Sequence, residues 1–522
     1  MKLKDLKSLS KDTIIYGVGS ATRQIVLVLM APLFAAYLTV DRFGSRAMLT
    51  ALYGFLQIII LLAINQAVIA DYYKVKTEKE RRSIVSTAFV FSFLTSLIVG
   101  GLVFTFASFL PEVMSFLGIP ISNGIMGLEI PEAIPILKLF SVYTVFTPPT
   151  FIILAMLQSR KRPLPYTIFS VTQGVVRVGL MVLFLVVLKR ELRGVFEADA
   201  LLAVGTFPVL IIFVMLYSKG IKFSKKHLKS MLQYSAPLLL TAAFFWGKEM
   251  LDRFLILIYL TEAHVGIFAF ARNFPKVVSF LLVTPLNWAW IPYAFSIKDK
   301  PEMPGTLSRV LTYFLLISGW LLIILTGSAT ELLQIIAKQW QYWLGAPYVP
   351  LLIFSIILFA ANRIISTPFH LKRKTSYITI TSSISTVLVA AINIVLLPFI
   401  KLYASAIAPV IGYGTAMVVS IILVRKYLKI PYEMKRIILI SVFSIFISIV
   451  LYFWHPFFPS VRVSCVNVTA AYFYWHRLSP LFSFLVKCGV GTIAYVVLLL
   501  CAGFLLPGER NLIKTKLSRT KQ

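Results

Sequence analysis

Long apolar runs without alternation of apolar and polar positions dominate this chain. About 20 apolar residues span the hydrocarbon core of a membrane, and only helices or closed barrels satisfy their backbone hydrogen bonds there. Because the runs do not alternate, they predict membrane-spanning helices. We count fourteen, with approximate limits of 12–40, 44–70, 84–111, 133–158, 164–188, 198–217, 231–260, 263–291, 306–337, 346–369, 376–400, 403–424, 434–454 and 482–506.

The composition agrees with an all-α polytopic membrane protein. Hydrophobic residues make up 59% of the 522 residues, a share that soluble domains cannot bury without exposing large apolar patches. The first run follows a charged start, but it is long and lacks a small-residue cleavage site. We therefore expect it to be a retained span and not a signal peptide.

Positive charge is distributed unevenly between the predicted loops. The chain has 51 Lys and Arg residues and a net charge of +31, and most of the basic loop residues fall on the side of the N-terminus. The positive-inside rule then predicts that both termini are cytoplasmic and that the protein lies in the cell (plasma or inner) membrane. Topology explains the charge, so we expect no nucleic acid as a partner.

A short repeat suggests an internal duplication. Tyr-Leu-Thr at 37–39 precedes Gly44, and Tyr-Leu-Thr at 259–261 precedes Gly266 with the same spacing. Transporters often bind substrate between two such halves. The alternative is that the tripeptides recur by chance. We predict an N-terminal lobe of six helices (1–217), a pseudo-symmetric C-terminal lobe of six helices (218–430), and two extra helices with a basic cytoplasmic tail (431–522).

Basic side chains inside the apolar runs are the main candidates for substrate binding. A charge at the centre of a membrane helix costs ~2.5–3.5 kcal/mol, so such residues usually serve a function. Arg272 and Lys276 are four residues apart on one helix face, with no acid within one turn. They flank Pro275, which we predict to be a hinge because proline removes a backbone hydrogen bond. Arg23 and Arg177 are further candidates for an anionic group.

The seventh run carries four ionisable residues of both signs: Lys248, Glu249, Asp252 and Arg253. Lys248 and Asp252 are four residues apart, as are Glu249 and Arg253, so that the pairs can neutralise one another. Two alternatives remain open. Glu249 and Asp252 can bind a coupling proton or sodium ion, or one of them can pair with Arg23 or Arg177.

Three other basic residues, Lys138, Arg363 and Lys487, lie nearer the ends of their runs. We explain them by snorkelling, in which a long side chain extends its charge to the membrane interface. The scattered Cys and His residues predict no metal site, and the chain has no P-loop or nucleophile elbow. We therefore expect a transporter, and neither an enzyme nor a protein with a cofactor.

Five segments of the sequence are informative together: KDTIIYG at 11–17, YSAPL at 234–238, DRF at 252–254, VGIF at 265–268 with Ala271, and WAWIPY at 288–293. They resemble segments of the Wzx-type polysaccharide and oligosaccharide flippases, which belong to the multidrug/oligosaccharidyl-lipid/polysaccharide superfamily. The last four are similar in order and approximate spacing to the seventh and eighth helices of that family. Ser235-Ala236 stands where the family often has Gly-Leu, and Phe268 where it often has Tyr. The resemblance covers about the first 430 residues.

This resemblance implies a MATE-like, two-lobed bundle that opens alternately to each membrane face. Its expected substrate is an isoprenoid-diphosphate-linked oligosaccharide, carried to the outer leaflet for cell-surface polysaccharide synthesis. Arginine suits such a substrate because its planar fork pairs bidentately with phosphate oxygens. We expect a monomer in the lipid bilayer, with a polysaccharide polymerase or glycosyltransferases as candidate partners.

Three other functions remain open. A multidrug or cation antiporter of the same superfamily predicts that acidic residues dominate the middle of the membrane. A peptidoglycan lipid-precursor flippase is the nearest alternative substrate class. A membrane-bound glycosyltransferase or ligase needs a sizeable domain with catalytic carboxylates, and the largest predicted outer loops, near 112–132 and 455–481, are short for one.

Overall fold

The computed structural model describes residues 30–112, 125–160, 162–372, 374, 376–454 and 470–504. Within these ranges the chain is helical almost throughout and contains no β-strand. The helices are α1 (Val40–Leu61), α2 (Ile64–Lys74), α3 (Glu78–Ser108), α4 (Ile130–Phe146), α5 (Pro149–Ser159), α6 (Pro163–Val182), α7 (Glu191–Ser218), α8 (Lys225–Tyr259), α9 (Glu262–Ala271), α10 (Asn273–Val278), α11 (Thr284–Ser296), α12 (Met303–Gly327), α13 (Ala329–Ile336), α14 (Val349–Ile365), α15 (Thr367–Leu371), α16 (Ser376–Ile400), α17 (Leu402–Val424), α18 (Met434–Phe453) and α19 (Ala470–Cys501).

Twelve helical stretches of the described chain are long and apolar enough to cross a membrane. They match twelve of the predicted spans. The first predicted span lies outside the described residues except for 30–40, of which 30–37 are helical. The seventh is present as the 35-residue helix α8, which contains seven Lys, Arg, Asp and Glu residues and is not among the twelve. The all-α polytopic fold is confirmed, and the number fourteen is not.

The described residues form two compact units by their internal contacts. The first contains the described chain up to Asn273 together with Thr386–Ser405, and the second contains Phe274–Ser385 and the described chain from Ala406 onward. The chain therefore passes from one unit to the other within α16, within α17, and beside Pro275. The proposed lobes, 1–217 and 218–430, and the appended segment 431–522 remain a prediction.

The apolar core of the first unit lies between α2, α3, α5 and α7. Ile64, Ile84 and Ile152 are completely buried there. Phe207 of α7 stacks on Phe93 of α3, with their ring centroids 4.7 Å apart. Helices α3 and α7 also expose large apolar side chains on their other faces, as expected of helices that are surrounded by lipid.

Helices α1 and α9 cross closely in the first unit, at two glycines. A methyl group on Gly44 would overlap the carbonyl oxygen of Glu262, and one on Gly266 would overlap the carbonyl oxygen of Val40. Val40 precedes Gly44 by four residues, as Glu262 precedes Gly266, so the contact is reciprocal. The repeated Tyr-Leu-Thr motif thus precedes two helices that pack against each other through equivalent positions.

The predicted eighth span is not one continuous helix. After α9 ends at Ala271, the chain forms α10, a π-helical turn at Ser279–Val283, and then α11. Pro275 lacks the N–H group that would bond to the carbonyl of Ala271, which favours an interruption one turn before the proline. A hinge motion at Pro275 remains a prediction.

In the second unit, the last two helices pack against α12. Ile323 of α12, Ile440 and Leu451 of α18, and Tyr495 and Leu499 of α19 belong to one buried apolar cluster. Tyr495 also donates a hydrogen bond of 3.1 Å to the backbone oxygen of Leu316. The described parts of α18 and α19 are therefore integral to the second unit.

Candidate substrate-binding sites

Asp252 joins two arginines from neighbouring helices of the first unit. Asp252 and Arg253 are consecutive on α8, and Arg272 follows the last residue of α9. The Nη1 atom of Arg253 donates to Oδ1 of Asp252 over 2.9 Å, and Nη1 of Arg272 donates to Oδ2 of Asp252. One carboxylate thus accepts hydrogen bonds from two guanidinium groups. We call these three residues the Asp252 cluster.

The Asp252 cluster is largely buried within the membrane-spanning part of the chain. The exposed side-chain fractions are 7% for Asp252, 9% for Arg253 and 16% for Arg272. At a rise of about 1.5 Å per residue, Asp252 lies roughly 10 Å from the end of α8, and Arg272 roughly 15 Å from the start of α9. Buried charges at this depth require partners of opposite charge, and the cluster provides them.

The cluster region carries an excess of positive charge. The four ionisable residues of the seventh predicted span together with Arg272 comprise three basic and two acidic side chains, which gives a formal charge of +1. The side chains of Lys248 and Glu249 are outside the described part of the structure. Their predicted pairing with Asp252 and Arg253, and ion coupling by Glu249 and Asp252, therefore remain predictions.

Lys276 and Arg23 are the remaining sequence candidates for binding an anion together with Arg272. Lys276 is exposed and belongs to the second unit, whereas Arg272 belongs to the first. Arg23 falls outside the described residues. The joint binding of an anion by Arg272, Lys276 and Arg23 therefore stays a prediction.

Arg177 forms a bidentate ion pair with Asp199 in the first unit. Its Nε atom donates to Oδ1 over 2.8 Å and its Nη2 atom donates to Oδ2 over 2.9 Å. Asp199 is 9% exposed and Arg177 is 29% exposed at the side chain. The structure thus gives Arg177 a different partner from Asp252 or Glu249, the two acids considered from the sequence.

Asp199 was missed because the sixth span was predicted to begin at 198, which placed this acid at the membrane surface. In the structure α7 begins at Glu191, so that Asp199 lies about 12 Å along the helix. Arg177 lies on the preceding helix, α6, and faces it. A basic residue deep in one run and an acid near the start of the next run are the sequence signal for this pair.

A cavity of about 200 Å³ lies beside the Arg177–Asp199 pair, within the first unit. Its lining residues come from α4 to α7, and we call it the α4–α7 cavity. Its apolar walls include Phe151, Leu202 and Ala203. Its polar walls are formed, besides the ion pair, by Tyr143, Thr147, Thr150, Ser170, Gln173 and Thr206.

A second buried ion pair connects α13 and α19 in the second unit. Lys487 Nζ lies 2.6 Å from Oε1 of Glu331 and donates to the backbone oxygen of Gly327 over 3.1 Å. Ser483 donates to the same carboxylate oxygen. The side chain of Lys487 is only 1% exposed, so the snorkelling predicted for it is wrong. Its ammonium group binds at the break between α12 and α13, where helix-end carbonyls attract cations.

Within the described ranges, no three His, Cys, Asp or Glu residues are placed to hold a metal ion. The described sites offer ion pairing and hydrogen bonding. Such groups bind and release polar or anionic molecules.

The fold is similar to that of solved membrane transporters. The lipid II flippase MurJ, in an inward closed conformation, matches over 91% of this chain and 98% of its own, with a TM-score of 0.65 and 15% identity. An inward-facing multidrug resistance transporter of the MATE family matches over 80% of this chain and 96% of its own, with a TM-score of 0.61 and 15% identity. This likeness concerns the fold, and it gives the chain a MATE-like membrane fold.

The family follows from the sequence match. The family model described as polysaccharide biosynthesis protein matches residues 33–344, and the chain belongs to this family. The resemblance to Wzx-type flippases is confirmed. Two proteins of Haemophilus influenzae are each 24% identical to the chain, covering 69% of it and 82% of their own length: an uncharacterized membrane protein, over 369 residues, and Lsg locus putative protein 1, over 368 residues.

Proposed function

We propose that this protein is a flippase that moves an isoprenoid-diphosphate-linked oligosaccharide from the cytoplasmic to the outer leaflet of the cell (plasma or inner) membrane. The product would serve cell-surface polysaccharide synthesis. The observation that carries the proposal is the Asp252 cluster, in which Arg253 and Arg272 are buried beside one carboxylate in a chain of the polysaccharide biosynthesis protein family.

A diphosphate group needs positive charge inside the membrane because hydrocarbon does not solvate an anion. Arginine is well suited to this role, since its guanidinium group stays charged and matches the geometry of phosphate oxygens. The excess positive charge around the Asp252 cluster favours an anion over a cation there. This favours a flippase over a cation antiporter.

Asp252 would act as an internal competitor of the diphosphate. Without substrate, its two oxygens accept hydrogen bonds from Arg253 and Arg272. A bound diphosphate would accept bonds from the same donors and displace the carboxylate. Because one anion replaces another, the net gain in binding free energy stays small, and the substrate can leave on the far side of the membrane.

The orientation of the protein and the direction of transport support each other. With the N- and C-termini in the cytoplasm, as loop charge predicts, substrate would enter from the negatively charged side. Moving an anion outward then gains ~2.3 kcal/mol per charge per 100 mV. We propose that the membrane potential contributes to export, and that the protein works as a monomer beside a polysaccharide polymerase or glycosyltransferases.

The test is leaflet-resolved transfer of fluorescent polyprenyl-diphosphate-linked oligosaccharides by the purified full-length protein in liposomes. The Arg272→Gln variant should transfer them roughly tenfold more slowly or worse, because a hydrogen bond to a charged group contributes ~1.5–3 kcal/mol. The Arg193→Gln variant is the matched control. Arg193 pairs with Glu197 on the surface and is 55% exposed, so its rate should equal that of the wild type.

Two results would overturn the proposal. One is the absence of transfer for a panel of glycans with the intact protein and an imposed potential, combined with transport of an organic cation; this would favour an antiporter. The other is an equal rate for Arg272→Gln and the wild type. Preferential transfer of a peptidoglycan lipid precursor would retain the flippase and change its glycan.

A further inference from the structure

We propose that the α4–α7 cavity binds a single uncharged sugar ring of the transported glycan. This inference rests on the proposed function and adds a subsite to it. It separates the work of two sites in the first unit, with the Asp252 cluster binding the diphosphate and the α4–α7 cavity binding one sugar. Arg177 is thereby assigned to the sugar and not to the diphosphate.

The charge of the cavity supports an uncharged ligand. Arg177 directs both Nε and Nη2 to the two oxygens of Asp199, so that the pair is neutral as a whole. An anionic ligand would have to displace Asp199 from Arg177, and this carboxylate, only 9% exposed, would then be left buried without its counter-charge. Asp252, by contrast, contacts two arginines. The pair nevertheless keeps further N–H groups and lone pairs that can bond to hydroxyl groups.

The polar lining matches the hydrogen-bonding pattern of a sugar. Besides Tyr143, four residues with aliphatic hydroxyl groups line the cavity, namely Thr147, Thr150, Ser170 and Thr206. A hydroxyl group both donates and accepts hydrogen bonds. The amide of Gln173 adds two donors and an acceptor. Sugar hydroxyls likewise donate and accept, so that this lining can bond a ring on several sides.

Ser170 provides an independent observation. Its side chain lines the cavity, is only 2% exposed, and its Oγ has no hydrogen-bond partner within the described structure. Leaving a buried hydroxyl without a partner costs ~1–3 kcal/mol. A ligand hydroxyl in the cavity would remove this cost, which an apolar ligand would not.

The size of the cavity is sufficient for one ring. An apolar cavity of ~150 Å³ holds benzene, so about 200 Å³ is enough for a six-membered ring with small substituents. Pockets for drug-sized ligands are larger, at ~300–1,000 Å³. Tyr143 and Phe151 supply aromatic surface for the C–H groups of the sugar ring. The threonine and serine side chains would form hydrogen bonds to its hydroxyl groups.

The proposal is tested by measuring binding of two classes of lipid to the intact, detergent-solubilised protein by native mass spectrometry. The first probe is polyprenyl diphosphate without a sugar. The second is a panel of the same lipid carrying short oligosaccharides built on hexose, N-acetylhexosamine or 6-deoxyhexose. The wild type should bind at least one member of the panel roughly tenfold more tightly than the sugar-free lipid, a difference of the size expected for one or two satisfied polar groups.

Two variants of the cavity should remove this preference and leave binding of the sugar-free lipid unchanged. Ser170→Ala/Gln173→Leu deletes hydrogen-bonding groups with little change in volume. Ala203→Phe places a ring in the cavity, because Ala203 lines it and is 6% exposed. Val204→Phe is the matched control, since Val204 is the next residue of α7 and is 42% exposed. It should behave as the wild type with both classes of lipid.

The outcomes separate this inference from the proposed function. If the wild type binds neither class of lipid, the proposed function fails. If it binds both equally, or if the cavity variants weaken both equally, the diphosphate site stands and the sugar subsite is refuted. Thermal unfolding of each variant identifies one that does not fold, and the polar double variant then decides the matter if Ala203→Phe is unstable.

Discussion

Gly44 and Gly266 pack reciprocally, each against the backbone of the other's helix. A side chain on either one would meet the carbonyl oxygen four residues before the other glycine. Small residues allow this close approach of helices in membranes. Gly266 lies six residues before Arg272, so the crossing also fixes the helix that carries Arg272 to the Asp252 cluster.

Substituting either glycine with alanine should destabilise the protein. Gly44→Ala and Gly266→Ala force the helices apart, and overpacking of this kind costs ~1–3 kcal/mol. We expect each to lower the midpoint of thermal unfolding in detergent. Gly205→Ala is the control, because a methyl group there meets nothing within 4 Å, and it should keep or raise the midpoint. Equal unfolding midpoints of all three variants would refute the close crossing of α1 and α9.

Removing the charge of Asp252 should strengthen binding of a diphosphate. In Asp252→Asn the competing anion is gone, so polyprenyl diphosphate should bind more tightly and raise the unfolding midpoint further than it does in the wild type. Transfer between leaflets should slow, because release becomes harder. Glu197→Gln removes an acid that pairs with Arg190 and Arg193 elsewhere, and it should not change either quantity. Weaker binding by Asp252→Asn would contradict the exchange mechanism.

The Glu331–Lys487 pair should show strong coupling in a double-mutant cycle. Breaking a buried ion pair leaves one charge unpaired and costs ~3–5 kcal/mol, whereas replacing both partners costs much less. Glu331→Gln and Lys487→Met should therefore each lower the unfolding midpoint strongly, and the double variant should recover much of the loss. Additive effects of the two substitutions would show that the pair is not coupled.

Export should respond to the membrane potential. In liposomes, a potassium-diffusion potential that makes the cytoplasmic side of the protein negative should accelerate outward transfer of the diphosphate-linked glycan. Reversing the sign should slow it. The same measurement with Arg193→Gln controls for changes in leak. A rate that is independent of the potential would exclude this driving force and leave an ion gradient as the alternative.

The sequence predicted the membrane spans well because span length and apolar composition are local properties. The wrong predictions concern which charged side chains form ion pairs with each other. Lys487 was explained by an extended side chain near the interface, but Glu331 lies 156 positions earlier in the chain and nothing local connects the two. Asp199 was placed at a helix end because the boundary of α7 was predicted seven residues too late.

The membrane class, the helical architecture and the family are contained in the sequence itself, because hydrophobic runs and loop charge act residue by residue along the chain. The identity of the charged partners was decided only by the tertiary structure. Arg177 meets Asp199, Arg272 meets Asp252 and Lys487 meets Glu331 because helix packing sets which side chains face each other. In a low-dielectric interior, the side chain that faces a buried charge determines whether this charge is neutralised or can bind a substrate.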